Sequence, residues 1–158
     1  MKKVMIVLLS TTIGALAGAL GAGRLLNNQK GNIENKVDKF KRYYNILNQW
    51  LSLKQEGKSL AVYFENNNYK SLAIYGMGEL GNRLYDELKN SDIAVKYAID
   101  EKFTVTYTGL DVRSPEEEFD KVDAIIVTAV FAFEEIEKQL KEKVDFSVIS
   151  LEDVVYAV

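Results

Sequence analysis

Three glycines, Gly76, Gly78 and Gly81, separate an apolar run at residues 72–75 from a helix-like stretch. The leucines after them recur at the spacing of one helix face: Leu80, Leu84 and Leu88. A strand that runs into a glycine turn and then into a helix is the order of a phosphate-binding βαβ unit. The first glycine permits a sharp turn, the second leaves room for a phosphate against backbone N–H groups, and the third lets the helix pack closely. The chain is therefore constrained to an α/β fold.

A second apolar run, residues 94–99, ends in Asp100, nineteen residues after Gly81. A carboxylate at this position accepts hydrogen bonds from ribose hydroxyls and favours an unphosphorylated 2′-hydroxyl. Thr128 ends a later apolar run at the expected ligand crevice, where its hydroxyl either contacts a ligand or bonds the backbone. The predicted ligand-binding residues are Gly76, Met77, Gly78, Glu79, Leu80, Gly81, Asp100 and Thr128. A turn used only for packing and a solvent-facing carboxylate are the alternatives.

Beyond Asp100, strand-like and helix-like segments alternate along the chain. They are a weak strand at 109–112, a helix start at 114–117, a buried strand at 124–128, a helix carrying Phe133, Ile136 and Leu140, a strand at 146–149 and a terminal segment at 151–155. Strands that alternate with helices predict a parallel sheet covered on both faces. We expect a Rossmann-like sheet of order 3-2-1-4-5.

Residues 4–23 carry no charged side chain, and residues 24–58 carry eight basic and three acidic ones. At 1.5 Å per residue, the uncharged run is long enough to cross a hydrocarbon core of ~30 Å. The basic excess after it favours a cytosolic C-terminal side. We expect a single transmembrane helix within residues 1–25, which anchors the protein in the cell membrane with its C-terminal domain in the cytoplasm. A cleaved secretory signal peptide is the alternative.

Residues 26–68 predict a basic juxtamembrane segment that is amphipathic and helical, followed by the α/β domain at 69–158. One apolar stripe has heptad spacing: Ile33, Val37, Phe40, Tyr44, Leu47 and Leu51. A second stripe lies beside it: Tyr43, Ile46, Trp50 and Leu53. We expect a single amphipathic helix that packs on its own domain. The alternative is that one stripe packs on the α/β domain while the other meets a partner or a second copy.

The sequence contains no His and no Cys, which removes the usual neutral-pH base, thiol nucleophiles and zinc thiolate sites. Residues 59–158 carry twenty acidic and ten basic residues, which argues against nucleic acid as a partner. Tyr85 and Lys89 have the spacing of a reductase pair, but they fall on the first helix, away from the substrate side. The sequence therefore predicts no catalytic residue and no metal site.

Four segments, residues 74–81, 97–100, 123–128 and 149–153, together resemble a known domain. It is the small Rossmann-type domain at the N-terminus of bacterial sugar acyltransferases, which is also found in envelope polysaccharide loci. The resemblance covers residues 70–155 and implies a nucleotide-sugar held by the turn 76–81 and Asp100. No hexapeptide-repeat domain follows in this sequence, so acyl transfer is not implied.

We therefore expect a membrane-anchored accessory protein that binds a nucleotide-type ligand, with a nucleotide-sugar or NAD as the candidates. Its expected partners are the membrane and either a polysaccharide-assembly enzyme or a second copy of the chain. Two alternatives remain. One is an NAD-dependent oxidoreductase subunit completed by a partner, and the other is an interaction module without a ligand.

Overall fold

The structure is a computed structural model and describes residues 35–101 and 109–158. Residues 44–158 form one compact unit, and residues 35–43 are the described part of another. Residues 35–43 are helical and exposed, except for the half-buried Tyr43. The expected transmembrane helix lies outside the described residues. Within the two described ranges, no helix is long and apolar enough to cross a membrane.

The unit at 44–158 begins with helical residues 44–55, named α1, and continues as alternating strands and helices. The elements are α2 Ala61–Asn66, β1 Ser71–Tyr75, α3 Glu79–Leu88, β2 Ala94–Ile99, β3 Val112–Arg113, β4 Ala124–Val127, α4 Phe133–Lys141, β5 Ser147–Ser150 and α5 Leu151–Ala157. A short 3₁₀ turn, Val130–Ala132, leads from β4 into α4.

The five strands form one parallel sheet of order β3-β2-β1-β4-β5, which confirms the predicted order. Tyr75, the last residue of β1, lies opposite Ile99 of β2 and Val127 of β4. The carboxyl ends of these three strands therefore meet at one edge of the sheet. The strand order reverses between β1 and β4, and ligands bind open α/β sheets at such a reversal.

The hydrophobic core lies on both faces of the sheet, where the side chains of the central strands are buried. All four residues of β4 are buried, as are four of the five residues of β1. Such near-continuous apolar strands are typical of parallel sheets covered by helices on both sides. On one face, the strands pack with Ile136 and Leu140 of α4. This contact positions α4 against the carboxyl edge where the candidate site lies.

Helix α1 buries one of its two apolar stripes. Ile46, Trp50 and Leu53 are buried in the unit, whereas Leu47 and Leu51 are exposed. The expectation that one stripe packs on the domain is thus confirmed for the described residues. A partner on the exposed stripe stays a prediction.

Glu87 joins α1 and the start of α2 to α3. Its carboxylate accepts hydrogen bonds from Trp50 Nε1 at 2.6 Å, Leu60 N at 2.8 Å and Ser59 Oγ at 3.0 Å. Lys54 Nζ lies 3.2 Å away as an ionic partner. Burial alone would raise the pKa of Glu87, but hydrogen bonds from Leu60, Trp50, Lys54 and Ser59 outweigh it and lower the pKa.

The predicted helix start at residues 114–117 is wrong, because this segment is a turn that does not continue. Its local bonds are those of a helix start: Ser114 N donates to the Glu117 carboxylate, and Glu116 N donates to Ser114 Oγ. The chain then turns toward β4, since Phe119 stacks on the Tyr97 ring at a centroid distance of 6.3 Å. The Tyr97 hydroxyl also donates to the backbone oxygen of Asp120 at 2.7 Å.

Candidate functional site

The three glycines of the turn at residues 76–81, here called the glycine turn, meet different surroundings. Gly76 has a φ of +93°, and a Cβ there would lie 2.9 Å from Thr128 Oγ1. A Cβ on Gly81 would collide with the Gly76 carbonyl. Gly78 has a φ of −70°, and a Cβ there would meet no protein atom within 4 Å. The protein's own packing therefore requires glycine at 76 and 81 but not at 78.

The carbonyl oxygens of residues 76–78 in the glycine turn accept hydrogen bonds from side chains of the protein. Gly76 O accepts from Thr128 Oγ1 at 2.5 Å, and Asn82 Nδ2 donates to both Met77 O and Gly78 O at 3.0 Å. In contrast, no described residue accepts a hydrogen bond from the N–H groups of residues 78–81. These amides begin α3, where the first N–H groups of a helix lack partners and favour an anion. The sequence analysis missed Asn82, because its role depends on the shape of the turn.

Asp100 follows β2 and lies beside the glycine turn. Its Oδ2 accepts a hydrogen bond from Met77 N at 2.7 Å. The side chain is half-buried and lines a cleft at the carboxyl edge of the sheet. The carboxylate therefore holds the turn against β2 while it borders the space where a ligand would bind.

Thr128 holds the same turn from β4. Its backbone N–H donates to Tyr75 O at 2.9 Å, and its hydroxyl contacts both Tyr75 O and Gly76 O. The side chain is buried. Of the two roles open to this hydroxyl from the sequence, the structure shows the backbone bond.

The remaining predicted residues take part mainly through their backbone. Met77 and Leu80 bury their side chains in the core, and Glu79 is exposed at the start of α3. All eight predicted site residues lie in the glycine turn or directly after β2 and β4. The structure thus brings them together at one edge of the sheet.

A cleft of about 470 Å³, here called the main cleft, lies between this edge and α4. Its lining residues are Tyr75, Gly76, Asp100, Glu101, Ala129, Phe131, Ala132, Glu135, Ile136 and Gln139. A side cavity of about 210 Å³ shares Tyr75 and Gln139 with it and continues along α4. The described lining of the main cleft carries three carboxylates and no basic side chain. Together the two cavities form a groove beside the glycine turn.

The sequence analysis missed Tyr75, Glu101, Glu135 and Gln139. Tyr75 was counted only as part of an apolar strand, although it directly precedes the first glycine. Glu135 and Gln139 are four residues apart and so share one helix face, but the sequence does not say which face points to the sheet edge. In the described parts of the chain, no group of three or more Asp or Glu residues is arranged to hold a metal ion.

A family model described as C2185-like, N-terminal, matches residues 67–148. The match includes the glycine turn, Asp100 and Thr128, together with the whole of α4. Comparisons with curated proteins and with solved structures found no match. The family description names no ligand, no reaction and no sugar acyltransferase, so the resemblance drawn from the sequence stays a prediction.

Proposed function

This chain belongs to the C2185-like N-terminal family, and we propose that its glycine turn and main cleft bind a nucleotide or nucleotide-sugar. The observation that carries the proposal is Gly78. Gly76 and Gly81 are explained by contacts within the protein, whereas a Cβ on Gly78 would extend into open space. A phosphate that approaches the backbone is a physical reason for glycine at such a position.

The hydrogen bonds of the turn support the same ligand chemistry. Thr128 and Asn82 occupy its carbonyl oxygens, and the N–H groups of residues 78–81 have no acceptor in the described chain. Preset N–H groups at a helix start attract phosphate oxygens without a basic side chain. This matters here, because the described lining of the main cleft contains no Lys or Arg.

The size and polarity of the main cleft fit the rest of a nucleotide. Its volume of about 470 Å³ lies within the range of small-molecule sites. Asp100 borders it one strand away from the turn, where a carboxylate accepts hydrogen bonds from a ribose diol. A carboxylate there repels a 2′-phosphate, so we propose a ligand with a free 2′-hydroxyl.

We propose that the protein acts by binding and has no turnover of its own. The chain has no His or Cys to act as a base or nucleophile near neutral pH. We also propose that residues 1–25 anchor the domain at the cytoplasmic face of the membrane, near a polysaccharide-assembly enzyme. The uncharged run at 4–23, the basic excess at 24–58 and the resemblance to polysaccharide-locus domains support this part.

The test is a binding screen on the full-length protein in detergent, with NAD, ADP, UDP, GDP and the corresponding nucleotide-sugars. The single tryptophan, Trp50, reports unfolding by its fluorescence. A ligand at 100 times its Kd is expected to stabilise the protein by about 2.7 kcal/mol. Incubation with the same compounds is expected to release no product. Turnover that a cleft substitution abolishes would favour the oxidoreductase alternative.

Two substitutions of Gly78 sharpen the screen. Gly78→Ala and Gly78→Val are expected to leave the unfolding midpoint nearly unchanged, because the space around Gly78 is open. The valine variant is expected to weaken binding by more than about tenfold, since its side chain occupies the phosphate position. Gly57→Ala is the control: it lies in another turn, with a φ of +74°, so it should lower stability and leave binding intact. Equal affinity of wild type and Gly78→Val would contradict the proposal.

A further inference from the structure

Tyr75 is the last residue of β1 and packs on the sheet face that α4 covers. It is only 7% exposed, yet it lines both the main cleft and the side cavity. No hydrogen bond joins its hydroxyl to any residue in the described ranges. A phenol this deeply buried usually finds a partner. The hydroxyl therefore faces the groove as a polar group available to a ligand.

The groups around Tyr75 determine what this hydroxyl does. Burial raises the pKa of Tyr75, and the nearby charges of Glu101, Asp100 and Glu116 raise it further. The phenol is therefore neutral at physiological pH and is able to donate a hydrogen bond. The carboxylates of Asp100, Glu101 and Glu135 accept hydrogen bonds, and the Gln139 amide does both. The described lining of the groove thus offers several hydrogen-bond acceptors and two donors, the Tyr75 hydroxyl and the Gln139 amide.

The charge of the groove restricts the chemical groups that it can bind. Among the described residues that line the side cavity, Lys143 is the basic one. Its Nζ already donates to Pro115 O at 2.7 Å and lies 3.7 Å from Glu116. The main cleft is lined by the carboxylates of Asp100, Glu101 and Glu135, and its described lining contains no Lys or Arg. An anionic group is disfavoured there, and no metal-binding cluster is found in the described chain. Groups that donate several hydrogen bonds without negative charge fit best.

We propose that the groove between Tyr75 and α4 binds an uncharged, hydroxyl-rich group, the sugar of a nucleotide-sugar, with the Tyr75 hydroxyl donating a hydrogen bond to it. This inference rests on the proposed function, because phosphates bound at the glycine turn would place the attached sugar in the groove. Gly76 lines the main cleft next to Tyr75, so the two subsites are continuous. Apolar groups in the lining, such as Ile136, contact the C–H faces of a sugar ring.

The experiment compares nucleoside diphosphates with their neutral sugar conjugates by calorimetry on the full-length protein. The pairs are UDP with UDP-glucose, ADP with ADP-glucose, and GDP with GDP-mannose. In the pair that binds, the conjugate is expected to bind more tightly than the diphosphate. Tyr75→Phe keeps the ring and removes only the hydroxyl. It should weaken the conjugate about 3- to 10-fold and the diphosphate by less than about 2-fold.

Tyr97→Phe is the matched control, because Tyr97 lies on β2 and its hydroxyl already donates to Asp120 O. This variant should lower the unfolding midpoint and keep the preference for the conjugate. Tyr75→Phe should keep the unfolding midpoint and reduce that preference. A uronate in place of the neutral sugar should bind more weakly, and added salt should reduce that difference.

The outcomes separate the two proposals. The proposal of a sugar subsite is wrong if the diphosphate binds but the sugar adds no affinity, or if Tyr75→Phe weakens both ligands equally. The proposed function stands in either case. If NAD binds but none of the six compounds does, the sugar-subsite proposal is wrong and the proposed function stands. If neither NAD nor any of the six compounds binds, both proposals are wrong.

Discussion

The Thr128 hydroxyl oxygen lies 2.5 Å from the Gly76 carbonyl oxygen, so β4 holds the glycine turn that follows β1. Asp100 holds the same turn from β2 through the N–H group of Met77. The turn is thus fixed from both neighbouring strands before any ligand binds. A site that is already ordered loses less conformational freedom on binding.

Thr128→Val tests the first of these contacts. Valine matches the shape of threonine but leaves the carbonyl of the half-buried Gly76 without its hydroxyl donor. We expect a loss of about 1–3 kcal/mol in the free energy of unfolding, measured by urea titration with Trp50 fluorescence. Thr128→Ser keeps the hydroxyl and should lose less. A valine variant as stable as wild type would show that the contact adds nothing to stability.

Gly76→Ala should destabilise the protein more than Gly78→Ala does. Alanine at 76 has to adopt a φ of +93° and brings its Cβ against Thr128 Oγ1, whereas alanine at 78 meets no protein atom. We expect a cost of more than about 2 kcal/mol at 76 and less than about 0.5 kcal/mol at 78. Urea unfolding of both variants measures the difference. Equal costs at the two positions would contradict this account of the turn.

The sheet was predictable because its apolar runs and glycine turn fix both the elements and their connections. Short strands between helices leave few parallel arrangements, and the predicted order 3-2-1-4-5 is the observed one. The predicted helix at 114–117 failed for a local reason. Ser114 and Glu117 form the bonds of a helix start, but contacts of Phe119 with a distant strand decide where the chain goes next.

The site was predictable only where a motif marks it. The glycines and Asp100 have a fixed spacing along the chain, so the sequence alone indicated that they lie together at the candidate site. Tyr75 and Gln139 line the candidate site because α4 covers the face of the sheet on which Tyr75 lies. That packing depends on contacts between distant segments, which no local pattern of residues encodes.

Leu53→Ala and Leu51→Ala compare the two stripes of α1. Leu53 is 3% exposed and Leu51 is 56% exposed, although they lie two residues apart on one helix. We expect Leu53→Ala to cost about 2–5 kcal/mol in unfolding free energy and Leu51→Ala less than about 0.5 kcal/mol. Thermal or urea unfolding measures both. A large loss at Leu51 would mean that a partner covers the exposed stripe in solution.

We expect residues 1–25 to cross the membrane uncleaved and the domain to face the cytoplasm, because an uncharged run is followed by a basic excess. In sealed inverted membrane vesicles, added protease should therefore digest the domain. A lumenal protein of known topology serves as the control for sealing. Protection of the domain, or a soluble mature form without the first ~20 residues, would support the signal-peptide alternative.

Glu87 should make stability depend on pH. Burial acts to raise its pKa, but hydrogen bonds from Leu60, Trp50, Lys54 and Ser59 outweigh it and hold the pKa in the folded protein below the ordinary value of 4.5. Its contribution is therefore present above the unfolded pKa and is lost as the pH falls through the lower folded pKa. Protonation would also place an O–H group among donors that need an acceptor.

We expect Glu87→Gln to be less stable than wild type at pH 7 by about 1–3 kcal/mol, because the amide replaces a carboxylate that accepts several buried hydrogen bonds. Below about pH 5, wild type should lose stability faster than the variant, so the two curves of unfolding free energy against pH approach each other. Asp86→Asn is the control: Asp86 precedes Glu87 on α3 but is exposed and pairs with Lys89 at the surface. Solvent screens that pair, so its removal should change the curve little. Parallel curves for wild type and Glu87→Gln would show that the Glu87 carboxylate has the same pKa in the folded and unfolded states.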